Sequence, residues 1–107
     1  MSLYRFKSQE TADLVMLQVH GERILSALGK DLTKGVIRPP EIPQCIELLR
    51  SVAAREAEEH QRLKQTALDN GDPPPNLDPV SFASRTVPFV DMLQRCEGAG
   101  VDVVWGV

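Results

Sequence analysis

The sequence predicts an α+β fold, with a small antiparallel or mixed sheet packed against about three helices, one of them long. Three observations predict it. Apolar and polar residues alternate near both ends of the chain, apolar residues recur at helical spacing through the middle, and Gly/Pro clusters separate these stretches. The sheet is expected to join an N-terminal hairpin to the C-terminal strand.

Leu3–Ser8 reads Leu-Tyr-Arg-Phe-Lys-Ser, which places Tyr4 and Phe6 on one side and Leu3, Arg5 and Lys7 on the other. The polar stretch Gln9–Ala12 then leads into Asp13–His20, a second β-rich run, and the two read as a hairpin. The second strand is apolar on both sides, with Val15, Leu17 and Val19 on one and Leu14 and Met16 on the other. Such a strand suits a central or covered position, although Ala12–Leu17 is also compatible with the start of a helix. Gly21–Gly29 carries Ile24, Leu25 and Leu28 and predicts a helix of about two turns, with Gly29 as its left-handed stop.

Lys34–Arg38 reads as a loop or brief extended piece, and Pro39-Pro40 ends it. Pro40-Glu-Ile-Pro43 then opens the long helix, since prolines are tolerated where backbone N–H groups lack intrahelical partners. Ile42, Cys45, Ile46, Leu49, Val52 and Ala53 form one apolar stripe. From Arg55 the stripe gives way to charge. Glu58 and Arg62 have the favourable i,i+4 order, and Arg55 can reach Glu58 or Glu59. A helix continuous to Leu68 would be roughly 40 Å long at 1.5 Å per residue. A domain of this size has a radius of gyration of only about 13 Å, so residues 55–68 are expected to project as a solvated arm.

The Pro-rich loop 70–79 breaks the helix, and Asp78-Pro79 predicts the start of another. Phe82, Ala83, Thr86, Val87, Phe89, Val90, Leu93 and Cys96 follow at helical spacing, with a kink or break expected near Ser84–Val87 because Pro88 removes a backbone donor. Glu97-Gly-Ala-Gly100 ends that helix. Val101, Val103, Trp105 and Val107 then alternate with Asp102, Val104 and Gly106, the pattern of a strand with one face on a core. Paired with the hairpin, it would bring Trp105 beside Tyr4, Phe6, Val15 and Leu17 beneath the helices.

The 107 residues are expected to form one domain, and 42% hydrophobic with 25% charged residues is the balance of a globular protein. A net charge of −3 argues against a dedicated nucleic-acid binder, which needs a surplus of Lys and Arg on one face. No apolar run approaches the roughly 20 residues that cross a bilayer. Nothing near Met1–Lys7 has the apolar core of a signal peptide. Cys45 and Cys96 lie on apolar helix faces and read as buried reduced thiols. A cytoplasmic location follows as the expectation.

The search for chemistry excludes more than it finds. Gly29-Lys30 lacks the first glycine of a phosphate-binding loop, since Ile24 stands in its place, and Asp31 follows the lysine. Gly98-Ala-Gly100 precedes a strand rather than a helix, and Val103 replaces the third glycine of a dinucleotide fingerprint. His20, His60, Cys45 and Cys96 have no metal-ligand spacing, and the carboxylates cluster on the solvated arm. No catalytic, cofactor-binding or metal-binding residue is therefore expected, and no cofactor.

Two binding features stand out. One is the second sheet face, to which the alternation assigns Leu3, Arg5, Lys7, Leu14, Met16 and Val104, an apolar patch with a basic rim. The other is the set Lys30, Arg38 and Arg85 near element ends, a candidate anion site.

On Leu3–Ser8, Asp13–Leu17, Ile24–Lys30, Gly35–Pro39 and Val103–Val107, the chain resembles the small bacterial proteins grouped as domain of unknown function 1840. The resemblance spans nearly the full length and is weakest across Arg55–Asp78. It implies a small cytosolic protein and supplies no activity, cofactor or catalytic residue to carry over. The expected function is a non-catalytic protein-interaction or regulatory module that binds an unknown protein partner or itself, with neither nucleic acid nor membrane as partner. A binder of anionic metabolites, or a weak enzyme acting on them, is the alternative.

Overall fold

A computed structural model describes residues 2–107. The described residues form four strands, β1 (Leu3–Lys7), β2 (Leu14–Leu17), β3 (Gly35–Ile37) and β4 (Val103–Trp105). They also form three α-helices, α1 (Gln18–Leu28), α2 (Ile42–Asn70) and α3 (Phe82–Ala99), with a single 3₁₀ turn at Pro39–Glu41 leading into α2. The sheet is antiparallel throughout, in the order β2-β1-β4-β3, so the first and last strands are its centre. The fold is α+β, as the sequence predicts, and the brief extended piece after Lys34 is the fourth strand.

Register decides which side chains are buried. Phe6 pairs with Trp105 across the centre, and Trp105 pairs in turn with Gly35. Phe6, Ile37, Val103 and Trp105 are sealed on the inner face, against Ile24 and Leu25 of α1, Ile42 and Leu49 of α2, and Phe82, Phe89 and Leu93 of α3. Phe6 meets Phe89 edge-on at 4.9 Å between centroids, a favourable aromatic geometry. The indole lies over β3 at Gly35, where an added Cβ would come within 2.5 Å of the ring. A side chain there and the tryptophan would exclude one another.

The second strand is an edge strand, and its faces are the reverse of the expectation. Tyr4 pairs with Met16 and Phe6 with Leu14, which turns Leu14 and Met16 toward the core. Val15 and Leu17 are 43% and 40% exposed on the other side, rather than beneath the helices with Trp105. A strand apolar at every position carries no polar residue to mark its outer face, so the choice falls to its neighbour's register. The strand also stops sooner than predicted. Helix α1 begins at Gln18 and takes Gly21 into its first turn, where a Cβ would meet the Tyr4 ring at 2.5 Å and only glycine fits. Gly29 closes α1 at φ 68°, as predicted.

Helix α2 runs unbroken for 29 residues, and the molecule measures 52 × 30 × 21 Å. Ile42, Cys45, Ile46 and Leu49 bury the predicted stripe; beyond Glu56 nearly every position is exposed. Arg62 pairs with Glu59, one turn back, rather than with Glu58. Helix α3 starts three residues after the expected Pro79. Asp78 turns its carboxylate onto the Val80 N–H and Arg85, and Ser81 caps the helix by accepting from the Ser84 N–H at 3.1 Å. Pro88 does not break α3. The bond it forfeits is to the carbonyl of Ser84, an exposed residue in the first turn, where water can serve instead.

Candidate functional site

Among the described residues the helices all pack on the inner face, which leaves the outer face of the sheet uncovered. Alternation from the register assigns Leu3, Arg5 and Lys7 of β1, Val15 and Leu17 of β2, Val36 of β3 and Val104 of β4 to it. Leu3 pairs with Leu17 and Arg5 with Val15, while Lys7 and Val36 flank Val104. Leu3 is 58% exposed, and Val36 and Val104 are half-buried. Arg5 reaches diagonally to Asp13 at 3.4 Å, an exposed pair that contributes little to stability. Lys7 stands between two shallow depressions. One is bounded by Ser8, Gly100, Asp102 and Val104, the other by Leu3, Tyr4, Leu32 and Val107.

Of the six residues assigned to this face from the sequence, the structure keeps Leu3, Arg5, Lys7 and Val104 together. Leu14 and Met16 lie on the opposite, core-facing side. Val15 and Leu17 take their places, so the patch remains apolar with a basic rim but has a different membership.

Of the three basic residues of the candidate anion site, Lys30 and Arg38 meet at Glu41, and Arg85 lies apart from them. Lys30 donates to Glu41 at 2.7 Å, and the same carboxylate accepts the Arg38 backbone N–H at 2.9 Å. These two bonds hold the Glu41 carboxyl below its ordinary pKa. Arg85 lies near the other end of α1, bonded to Asp78 at 3.1 Å and to His20 Nε2 at 3.0 Å. Eight residues of helix rise separate His20 from Leu28, about 12 Å, and Lys30 lies two residues beyond that end of α1. Because a guanidinium only donates, His20 must accept through Nε2, which places the ring proton on Nδ1. The Asp78 carboxyl is held low first by the Val80 N–H and then by Arg85. Lys30 and Arg85 are thus each committed to a carboxylate of the fold.

A polar junction that the sequence did not announce lies where the three helices meet. Glu56 of α2 accepts the Phe82 N–H at the start of α3 at 2.8 Å and pairs with Arg23 of α1. The Arg23 guanidinium lies 4.6 Å from the centroid of the Phe82 ring. Burial pushes the Glu56 carboxyl up, but the Phe82 N–H and Arg23 outweigh it and leave the pKa below its ordinary value. A carboxylate at a helix N-terminus also meets the positive end of the helix dipole. Every partner of Glu56 is structural, so the junction reads as a clamp on the helix layer.

The Asp31–Lys34 turn receives the ends of two aromatic side chains. Trp105 donates its indole N–H to the Asp31 carbonyl at 2.9 Å, and Tyr4 donates its hydroxyl to the Leu32 carbonyl at 2.5 Å. Trp105 is only 1% exposed, with its one polar atom satisfied, which makes it a core residue. Cys45 and Cys96 are buried free thiols, and burial pushes the Cys45 thiol up, away from the reactive thiolate. Among the described residues no group of three or more His, Cys, Asp or Glu is arranged to hold a metal ion, and no helix is long and apolar enough to cross a membrane.

The chain belongs to the family described as domain of unknown function (DUF1840), whose model matches residues 2–105. Neither the curated proteins nor the solved structures contain a match to it.

Proposed function

We propose that this chain is a non-catalytic protein-interaction module of the cytoplasm, and that it binds its partner across the outer face of the sheet. The observation that carries the reading is the face itself. Leu3, Val15 and Leu17 form a contiguous apolar patch, between 40% and 58% exposed, on a surface that no helix covers. Contiguous apolar patches rimmed by charge mark interaction sites on soluble proteins. Arg5 and Lys7 provide that rim and favour a partner whose contact surface is apolar with acidic neighbours. Two buried free thiols suit a reducing compartment.

The test is affinity capture from extracts with the wild-type chain and with Leu3→Glu, which charges the most exposed residue of the patch while leaving the inner face untouched. A partner held by the wild type should be lost by the variant at unchanged circular dichroism. Capture of the same proteins by both, or of none by either, would overturn the reading.

A further inference from the structure

The sheet has two edges, and they are finished differently. Edge strand β3 is three residues long, with Lys34 and Arg38 on either side, and Lys30 reaches the outward carbonyl of Val36 at 3.5 Å. Short strands and flanking lysines are the usual protection of an edge against pairing with another chain. Edge strand β2 reads Leu-Val-Met-Leu, with no charge and no proline.

The ladder shows which of its backbone groups are spare. Gln18 N–H bonds to the Ser2 carbonyl at 3.1 Å, so the hydrogen-bonded pairs with β1 are those at Gln18, Met16 and Leu14. The groups of Val15 therefore point off the free edge, as does the Leu17 N–H. The Leu17 carbonyl is drawn into the first turn of α1.

We propose that β2 pairs antiparallel with β2 of a second copy of this chain, about a two-fold axis at Val15, to make one continuous sheet. The inference rests on the interaction reading, names the partner as a second copy, and moves the contact from the outer face to the strand edge that borders it. Unpaired N–H and C=O groups on an extended segment are satisfied by another extended segment, and a two-fold axis lets one strand supply both sides. At this axis each Val15 exchanges both hydrogen bonds with its counterpart, and Leu17 lies opposite Asp13. No like charges face each other across the junction. Val15, Leu17 and Leu3 of both copies then share one broadened apolar face.

Val15→Pro tests the contact directly. It removes an N–H that β1 does not use, and proline is tolerated on the free side of an edge strand. Val15→Lys is the second variant and sets two like charges opposite each other at the axis. Sedimentation velocity over a concentration series should give twice the chain mass for the wild type and the single-chain mass for both variants, with circular dichroism unchanged. If Val15→Pro alone loses its fold, the lysine variant decides together with Leu3→Glu: a dimer lost in Val15→Lys but kept in Leu3→Glu supports the edge, and one lost in both assigns the contact to the face. A wild type that stays monomeric, or a dimer that survives the decisive variant, overturns the proposal. A dimer lost in Leu3→Glu but kept in both Val15 variants would assign self-association to the face instead of the edge. A monomeric wild type whose Leu3-dependent partner is another protein would sink the edge pairing and leave the interaction reading standing.

Discussion

The two faces of this sheet share the same strands, and neighbouring residues on one strand have opposite fates. On β1, Phe6 is fully buried while Lys7, its neighbour, faces solvent; on β4, Trp105 is 1% exposed and Val104 is half-buried on the other side. The inner face is filled by three helices and tied at its rim, where the indole N–H finds a carbonyl. The outer face has comparable aliphatic content at Leu3, Val15, Leu17, Val36 and Val104 but lacks a second layer. Aliphatic content therefore does not separate the two faces. What separates them is whether another element of the chain covers them, so they should differ sharply in what substitution does.

The largest effect is expected at the centre of the closed face. Trp105→Ala removes the largest buried side chain, opens a cavity between Phe6 and Gly35, and leaves the Asp31 carbonyl without its donor. Substitutions of this kind destabilise by about 3–5 kcal/mol. Urea unfolding followed by far-ultraviolet circular dichroism should show that loss. A change below 1 kcal/mol would mean that the indole is not sealed, and the contrast between the faces would fail.

The helix layer that closes the inner face offers a sharper test at the clamp. Glu56→Gln keeps the shape of the side chain but removes the charge that engages Arg23 and the Phe82 N–H, a loss of about 1.5–3 kcal/mol at neutral pH. The pH dependence follows from the lowered carboxyl. In the folded chain Glu56 holds its proton less tightly than in the unfolded chain, whose ordinary value is 4.5. Its contribution is therefore complete above about pH 5 and is lost as the pH falls through the lower, folded value. The stability gap between wild type and variant should be widest near neutrality and should narrow below pH 4.5. A gap constant down to pH 3 would show that the charge is not what Glu56 contributes.

Much of the closed side was legible in the residues. Alternation in Leu3–Lys7 and Val103–Trp105 marked two strands with one buried face each, and the stripe from Ile42 to Leu49 marked the buried side of α2. Left-handed Gly29 and Gly100 ended helices where the sequence placed their stops. What failed had a common cause, a local pattern compatible with two answers. Leu14–Leu17 is apolar throughout, so only pairing with Tyr4 and Phe6 could choose its inward side. Gly21 reads as the first residue of a helix, and only the Tyr4 ring, where a Cβ would clash, shows why a glycine stands there inside α1. Asp78 has the residue type of a cap but spends its carboxylate on Val80 and Arg85, leaving the role to Ser81. Glu56 sits in a charged run where its neighbours are solvated, and nothing local distinguishes the one glutamate that meets the start of α3. For the candidate sites, the basic residues were recognisable by type, but which carboxylates neutralise them depends on contacts distant in sequence.

The smallest effect is expected on the open face, and it completes the contrast. Leu17→Thr replaces an aliphatic side chain that is 40% exposed with a β-branched residue suited to a strand, and no residue behind it loses packing. Stability measured at low concentration should change by no more than about 0.5 kcal/mol, as for surface substitutions generally. Met16→Thr, one residue earlier, strips a side chain that packs against the core and puts a hydroxyl in its place. It should cost clearly more. The pair keeps strand, substitution chemistry and sequence neighbourhood nearly constant and varies only the side of the sheet. Equal losses at the two positions, with the chain dilute enough to stand alone, would mean that part of the same chain packs over the outer face, and the surface proposed for the partner would not exist.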